Sequence, residues 1–284
     1  MKLSFGTSEG GIYMVNSENV IKNKWNEWSD TWYQKKQTDE VITKIITSPA
    51  SAFHLITYSM IQEAVPNLYG KRVLVPSSGD NHAVFAFHLL GAKVTSCDIS
   101  EKQIENAYVI ASKHGWDIEF ICDDTMTLSK VNSNEYDFVY TSNGVHVWIN
   151  DLASMYNNIA RVLKKNGTYI MFDIHPFMRP FGIKAGNNLR VEKPYDVTGP
   201  FGEVPTYKWR IQDIINAIVS SNLNIRRVEE MYAEDGSFWV DDSTDKGELL
   251  SKEEIESYCD WHKNPLAAIP QWLSIETING KSLY

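Results

Sequence analysis

Between Lys71 and Asp173 short apolar runs alternate with segments of helical periodicity, and this alternation constrains the fold more than any other feature. Arg72-Val73-Leu74-Val75 stops at Pro76; a helix is predicted over Asp80–Leu90, with Gly91 after it as a natural cap. Lys93–Cys97 is a second strand ending at Asp98. Ser100 then caps a helix running to about His114-Gly115, with Gln103 placed for a capping box. Asp117–Cys122, Tyr136–Thr141 and Thr168–Asp173 read as further strands, and Asp151–Leu163 as the helix between the last two. Strands separated by helices imply βαβ units, a parallel sheet and right-handed crossovers.

The flanks are built differently. Residues 1–70 read as a helical N-terminal cap of the same domain, with Trp25, Trp28, Trp32 and Tyr33 near one helical face and a second periodic stretch over Asp39–Gln62. The segment 176–206 holds five prolines and four glycines and is expected to be a long loop or lid. A helix over Tyr207–Leu223 and strands over Asn224–Met231 and Trp272–Thr277 follow, with a second insertion at about 232–271. The expected architecture is α/β, a doubly wound Rossmann-like sheet of seven strands, mostly parallel with the last antiparallel. Residues 71–284 form its main body.

Composition removes several classes of function. Hydrophobic residues make up 43% of the chain and charged residues 22%, as in a globular protein with a sizeable core. A net charge of −9, without a Lys/Arg-rich stripe, argues against nucleic acid as a partner. No apolar run is long enough to span a bilayer, and Glu9, Asn16 and Glu18 come too early for a signal-peptide core. Cys97, Cys122 and Cys259 are too scattered for a disulfide framework or a thiolate metal site, so no metal is expected. A cytoplasmic protein without membrane or nucleic-acid partners is the expectation.

In a doubly wound sheet, ligands bind beyond the carboxyl ends of the strands. The loop Pro76-Ser77-Ser78-Gly79-Asp80-Asn81-His82 has small residues that admit close backbone approach, and it leads into a helix N-terminus. Asp98, at the end of the second strand, has the position and chemistry to accept two hydrogen bonds from a ribose diol. Asp123-Asp124, closing the third strand, offers an acceptor to an adenine amino group.

These motifs, taken in order, resemble class I S-adenosylmethionine-dependent methyltransferases over the 105 or so residues from Arg72 to Pro176. Val73 to Asn81 stands where that family has its glycine-rich loop. Asp98 matches the acid after strand two, and Asp124-Thr125 with Leu128 the motif after strand three. Tyr136 to His146 matches the strand-four motif and its loop. Arg161-Val162-Leu163-Lys164-Lys165-Asn166-Gly167 matches the turn before strand five. The resemblance implies S-adenosyl-L-methionine as cofactor and methyl transfer to a small molecule. Ser77, Gly79, Asp80 and Asn81 would shape the cofactor loop, and Asp98 with Ile99 would take the ribose. Asp123, Asp124 and Thr125 would take the adenine and Asn143 the methionine end, while Tyr33 would cover the cofactor. The chain departs from the family where it has Val75 in place of the usual acid and Ser77 and Asn81 in place of glycines, which leaves the cofactor's ammonium to another group such as Asp80.

Methyl transfer needs alignment of donor and acceptor, and a base only when the acceptor carries a tightly held proton. His146, on the strand-four loop, and His175, beyond strand five, are the candidate bases; His82 and His88 read as structural. The tryptophans, with Trp209, Trp239, Trp261 and Trp272 in the C-terminal half, suggest an enclosure for a small or planar apolar acceptor, or for a cation. Two other readings stay open: a nicotinamide-dependent oxidoreductase on the same sheet, and a nucleoside-binding module without turnover.

Overall fold

A computed structural model describes residues 17–182, 189–240 and 251–280. Parts of the expected cap and of both insertions lie outside the described residues. The elements in order are α1 (Ser17–Trp28), α2 (Trp32–Lys36), α3 (Asp39–Thr47), α4 (Leu55–Ala64), β1 (Arg72–Pro76), α5 (His82–Leu89), β2 (Lys93–Asp98) and α6 (Glu101–His114). Then come β3 (Glu119–Cys122), β4 (Tyr136–Thr141), α7 (Leu152–Val162), β5 (Leu163–Ile174), α8 (Ile211–Ser220), β6 (Leu223–Met231), α9 (Lys252–Ser257) and β7 (Trp272–Asn279).

The seven strands form one sheet in the order β3-β2-β1-β4-β5-β7-β6. β1 pairs in parallel with β2 and with β4, so the strand order reverses beside β1. β7 runs antiparallel to both β5 and β6 and is inserted between them. This is the expected doubly wound sheet with its last strand reversed. The central strands are buried on both faces: Val73, Leu74 and Val75 are fully enclosed, as are Phe138 and Val139. One apolar layer lies against α7 and α8 and the other against α3, α4 and α5.

Local chemistry explains where elements begin and end. Gly115 ends α6 in the left-handed conformation at φ 68°, its amide reaching back to the Ala111 and Ser112 carbonyls. At the other end Ser100 Oγ accepts from Gln103 N, which is half of the expected capping box. The other half is different: both polar atoms of the Gln103 side chain lack partners among the described residues, and the Ser100 amide donates to Asp98 Oδ1 at 3.0 Å instead. The aspartate at the end of β2 takes the place of the glutamine.

Three expectations about helices are corrected. The Trp25–Tyr33 stretch is split between α1 and α2, because the chain turns at Ser29–Thr31 and Ser29 Oγ bonds back to the Trp25 carbonyl. The Asp39–Gln62 stretch is broken at Ser48-Pro49, where proline begins a separate 3-10 turn over Pro49–Ala52. α8 starts at Ile211 rather than Tyr207, because Asp213 caps the Arg210 amide at 3.0 Å and the Tyr207 amide is drawn to the Val147 carbonyl at 2.7 Å.

Candidate active site

A cavity of about 750 Å³ opens beyond the carboxyl ends of β1, β2, β4 and β5 and is roofed by α1 and α2. Its size and place are those of a small-molecule site at the switch point of an open sheet. Ser77, Gly79, Asp80, Asp98, Ile99, Asp124, Thr125 and Asn143 line it, as expected from the sequence. Five of the predicted residues do not: Tyr33, Asn81, Asp123, His146 and His175 lie outside its wall.

The loop after β1 turns sharply through Ser77 (φ 50°), Gly79 (φ 54°) and Asn81 (φ 61°). Glycine and asparagine adopt this left-handed region most readily, so the turn suits its sequence. Asn81 is spent on holding the turn. Its Nδ2 donates to the Gly79 carbonyl at 3.0 Å, and its Oδ1 lies 2.7 Å from Ser96 Oγ. Buried beneath the loop, it shapes the site without facing it. Ser77 Oγ meets Thr125 Oγ1 at 2.7 Å, which ties the β1 loop to the β3 loop.

Asp98 is buried at the tip of β2. Its Oδ1 accepts from Ser100 N, and its Oδ2 from Gly79 N at 3.1 Å. Burial pushes its carboxyl up to about 6, against the opposing pull of backbone N–H groups from Ser100, Gly79 and Ile99. Asp124 faces the cavity further along, its Oδ1 accepting from Met126 N at 2.8 Å. Burial raises its pKa as well, helped by the negative charges of Glu18 and Asp123. Asp123 faces the other way: its carboxylate accepts from Asp124 N, Ser129 Oγ and Lys130 N at 2.9, 3.1 and 2.7 Å. It folds the loop that presents Asp124 and Thr125.

The roof is a set of indoles. Trp25 contacts Trp28, Trp32 and Trp148 edge to face, with ring centroids 5.1, 5.5 and 5.4 Å apart. Trp148 belongs to the β4 loop, so the cluster joins the N-terminal cap to the far wall. Asn26 fixes one end of the cap: its Oδ1 accepts from Ser100 Oγ at 2.7 Å and from Lys102 N at 3.3 Å. At the other end Gln37 donates to the Asp80 carbonyl, and His82 Nε2 donates to the Lys36 carbonyl at 2.9 Å. Tyr33 points into the core instead of the cavity, where its hydroxyl lies beside the Asn81 side chain without a well-formed hydrogen bond among the described residues. Burial pushes its phenol far above the ordinary range.

Both candidate bases are committed elsewhere. His146 is buried, with Nδ1 donating to Asp173 Oδ2 at 2.7 Å and Nε2 hydrogen-bonded to the Tyr156 hydroxyl at 2.6 Å. The same carboxylate accepts from the amides of Gly144 and His146, each at 3.0 Å. Burial alone would raise the Asp173 pKa; hydrogen bonding from His146 and the charge of Arg179 hold it below its ordinary value. His175 is fully enclosed: its Nδ1 accepts from Phe177 N at 3.1 Å, so the proton is on Nε2, which meets Glu230 at 2.8 Å. The sequence shows two histidines on the right loops but not that a buried carboxylate and a glutamate claim them.

Several wall residues escaped the sequence reading. Tyr140 and Phe172 belong to apolar strand runs that read as core, and Ala52 and Lys36 carry no signal of their own. His82, read as structural, also lines the cavity, between Asp80 and the end of α2. Among the described residues, no group of three or more His, Cys, Asp or Glu side chains is arranged to hold a metal ion. No helix among them is long and apolar enough to cross a membrane.

Residues 75–171 match the family model described as a methyltransferase domain. Over 111 residues the chain is 30% identical to the uncharacterized methyltransferase YbaJ of Bacillus subtilis, a match spanning 39% of this chain and 43% of that protein. An S-adenosylmethionine-dependent methyltransferase from Mesorhizobium loti superposes with a TM-score of 0.58 at 18% identity, covering 78% of this chain and 96% of the other. Magnesium protoporphyrin IX methyltransferase from Synechocystis PCC 6803, solved with bound S-adenosylhomocysteine, gives 0.57 at 15% identity over 93% and 99% of the two chains. The fold is that of class I S-adenosylmethionine-dependent methyltransferases.

Proposed function

We propose that this chain, whose residues 75–171 are a methyltransferase domain of the class I S-adenosylmethionine-dependent type, methylates a small molecule enclosed beneath its N-terminal cap. The observation that carries the reading is that carboxylates beyond β2 and β3 share one cavity with a wall of tryptophans. One part of that cavity has the chemistry of a nucleoside site, and the other that of an apolar acceptor site.

The residues fit the cofactor. Asp98 keeps lone pairs free for ribose hydroxyls while backbone amides hold its position. Asp124 is an acceptor for the adenine amino group, with Ile99 and Met126 as apolar walls beside it. Asp80 is the carboxylate nearest the tight β1 turn and takes the place of the missing acid at Val75 for an ammonium group. When bound, S-adenosylmethionine supplies a methyl group on a sulfonium whose departure leaves a neutral thioether. The work of the chain is alignment and exclusion of water. Asp173 draws the Gly144 and His146 amides toward β5 and so sets the loop that carries Asn143 and Trp148. The indole roof covers the reacting centre.

Isothermal titration with S-adenosylhomocysteine, with NADH as control, tests the reading. Micromolar binding of the first alone supports it. Binding of NADH alone would replace it with an oxidoreductase, and silence from both would remove the cofactor assignment.

A further inference from the structure

We infer that the acceptor is a flat, uncharged aromatic molecule held under the tryptophan roof; this rests on the methyltransferase reading above. Charge is unevenly distributed around the cavity wall. Glu18 lines the cavity, and its charge helps to raise the pKa of Asp124. Lys36 also lines it, one turn after Trp32 on α2, and its carbonyl accepts from His82 Nε2. The aromatic part of the lining, Trp25, Trp28 and Trp32 from α1 and α2 with Trp148, Ile149 and Phe172 beyond β4 and β5, has no ionisable side chain among its members.

Shape narrows the choice further. Trp28 meets Trp148 as well as Trp25, with centroids 5.6 Å apart and planes at 68°. Interlocked indoles have few alternative rotamers, so the roof is a rigid aromatic surface. Such a surface favours a rigid flat ring over a flexible chain, which would lose its rotational freedom on binding. An anionic acceptor finds no cationic partner among those wall residues. A cationic acceptor would be drawn to the indole faces, but it would lie beside the positive sulfonium and be repelled by it.

The same wall lacks a proton acceptor. The imidazole lining the cavity, His82, has Nε2 bound to the Lys36 carbonyl and Nδ1 turned to Asp80 at 3.4 Å. The reacting atom of the acceptor therefore brings its own available lone pair, as a ring nitrogen does.

One ring system in several forms tests the inference. The full chain is loaded with sinefungin, a cofactor analogue whose ammonium stands in for the sulfonium. It is then titrated with quinoline, 1-methylquinolinium, quinoline-2-carboxylate and 1-octanol, followed by calorimetry and tryptophan fluorescence. Quinoline is expected to bind at least tenfold tighter than the other three. Trp25→Leu, and Phe172→Leu should the first variant fail to fold, are expected to weaken quinoline at least fivefold more than they weaken sinefungin. Equal or tighter binding of the cation, the anion or the alcohol overturns the inference. So does silence from quinoline on the loaded protein, or binding indifferent to both substitutions. Failure of sinefungin itself to bind counts instead against the methyltransferase reading.

Discussion

Gly79 donates its amide hydrogen to Asp98 Oδ2 at 3.1 Å, and this bond fastens the turn after β1 to the tip of β2. It holds a buried carboxylate at the place where a ribose would lie and opposes the burial that raises its pKa to about 6.

The affinity for S-adenosylhomocysteine is therefore expected to fall as pH drops through about 6, because protonated Asp98 loses acceptor capacity toward the ribose hydroxyls. Stability should move the other way. A carboxyl with a raised folded-state pKa favours the fold when protonated. Its contribution is full below about pH 4 and declines by about 3 kcal/mol as pH rises to about 6. Asp98→Ala should flatten both dependences, as read by titration and by urea denaturation across pH.

Asp173 has the opposite sign. Its carboxyl is held below the ordinary range, so it stabilises the fold above about pH 4 and that contribution is lost as pH falls through the folded-state value. Asp173→Ala leaves His146, Gly144 N and His146 N without their acceptor and should destabilise by about 3–5 kcal/mol. Chemical denaturation checks the loss; a change below 1 kcal/mol would mean that the β4 loop is held by other contacts.

Tyr33→Phe should leave cofactor affinity within about twofold and leave stability unchanged or higher. The hydroxyl it removes is buried beside Asn81 without a well-formed hydrogen bond among the described residues, and deleting such a group relieves a desolvation cost of about 1 kcal/mol or more. A large drop in affinity would restore Tyr33 to the cofactor wall.

The cap should control release. Asn26→Ala removes the acceptor for Ser100 Oγ and Lys102 N, a loss of about 1 kcal/mol. Dissociation of S-adenosylhomocysteine, followed by stopped-flow tryptophan fluorescence, is expected to quicken by about fivefold. An unchanged rate would show that the ligand leaves by a path that does not move α1.

What the sequence reveals here follows from the range of the interactions involved. β1, β2 and β4 could be read to within a residue because each is a short apolar run bounded by Pro76, Asp98 or Ser142, and such punctuation is local. Asp98 and Asp124 stood out because strand ends are fixed points in a doubly wound sheet. The partners of His146 and His175 could not be read because a loop position says nothing of groups 27 and 55 residues away in Asp173 and Glu230. The orientation of Asn81 and Asp123 was hidden for a related reason: a polar side chain in a binding loop can shape it from beneath. Tyr140 and Phe172 were hidden because an aromatic in a strand looks the same whether its ring fills the core or closes a cavity.

The most direct measurement is a crystal structure of the complex with S-adenosylhomocysteine. The account predicts ribose hydroxyls within hydrogen-bonding distance of the Asp98 carboxylate, adenine beside Asp124, and sulfur turned toward the wall formed by Trp25, Trp148 and Phe172. A ligand bound outside this cavity, or one whose sulfur faces away from the indoles, would contradict it.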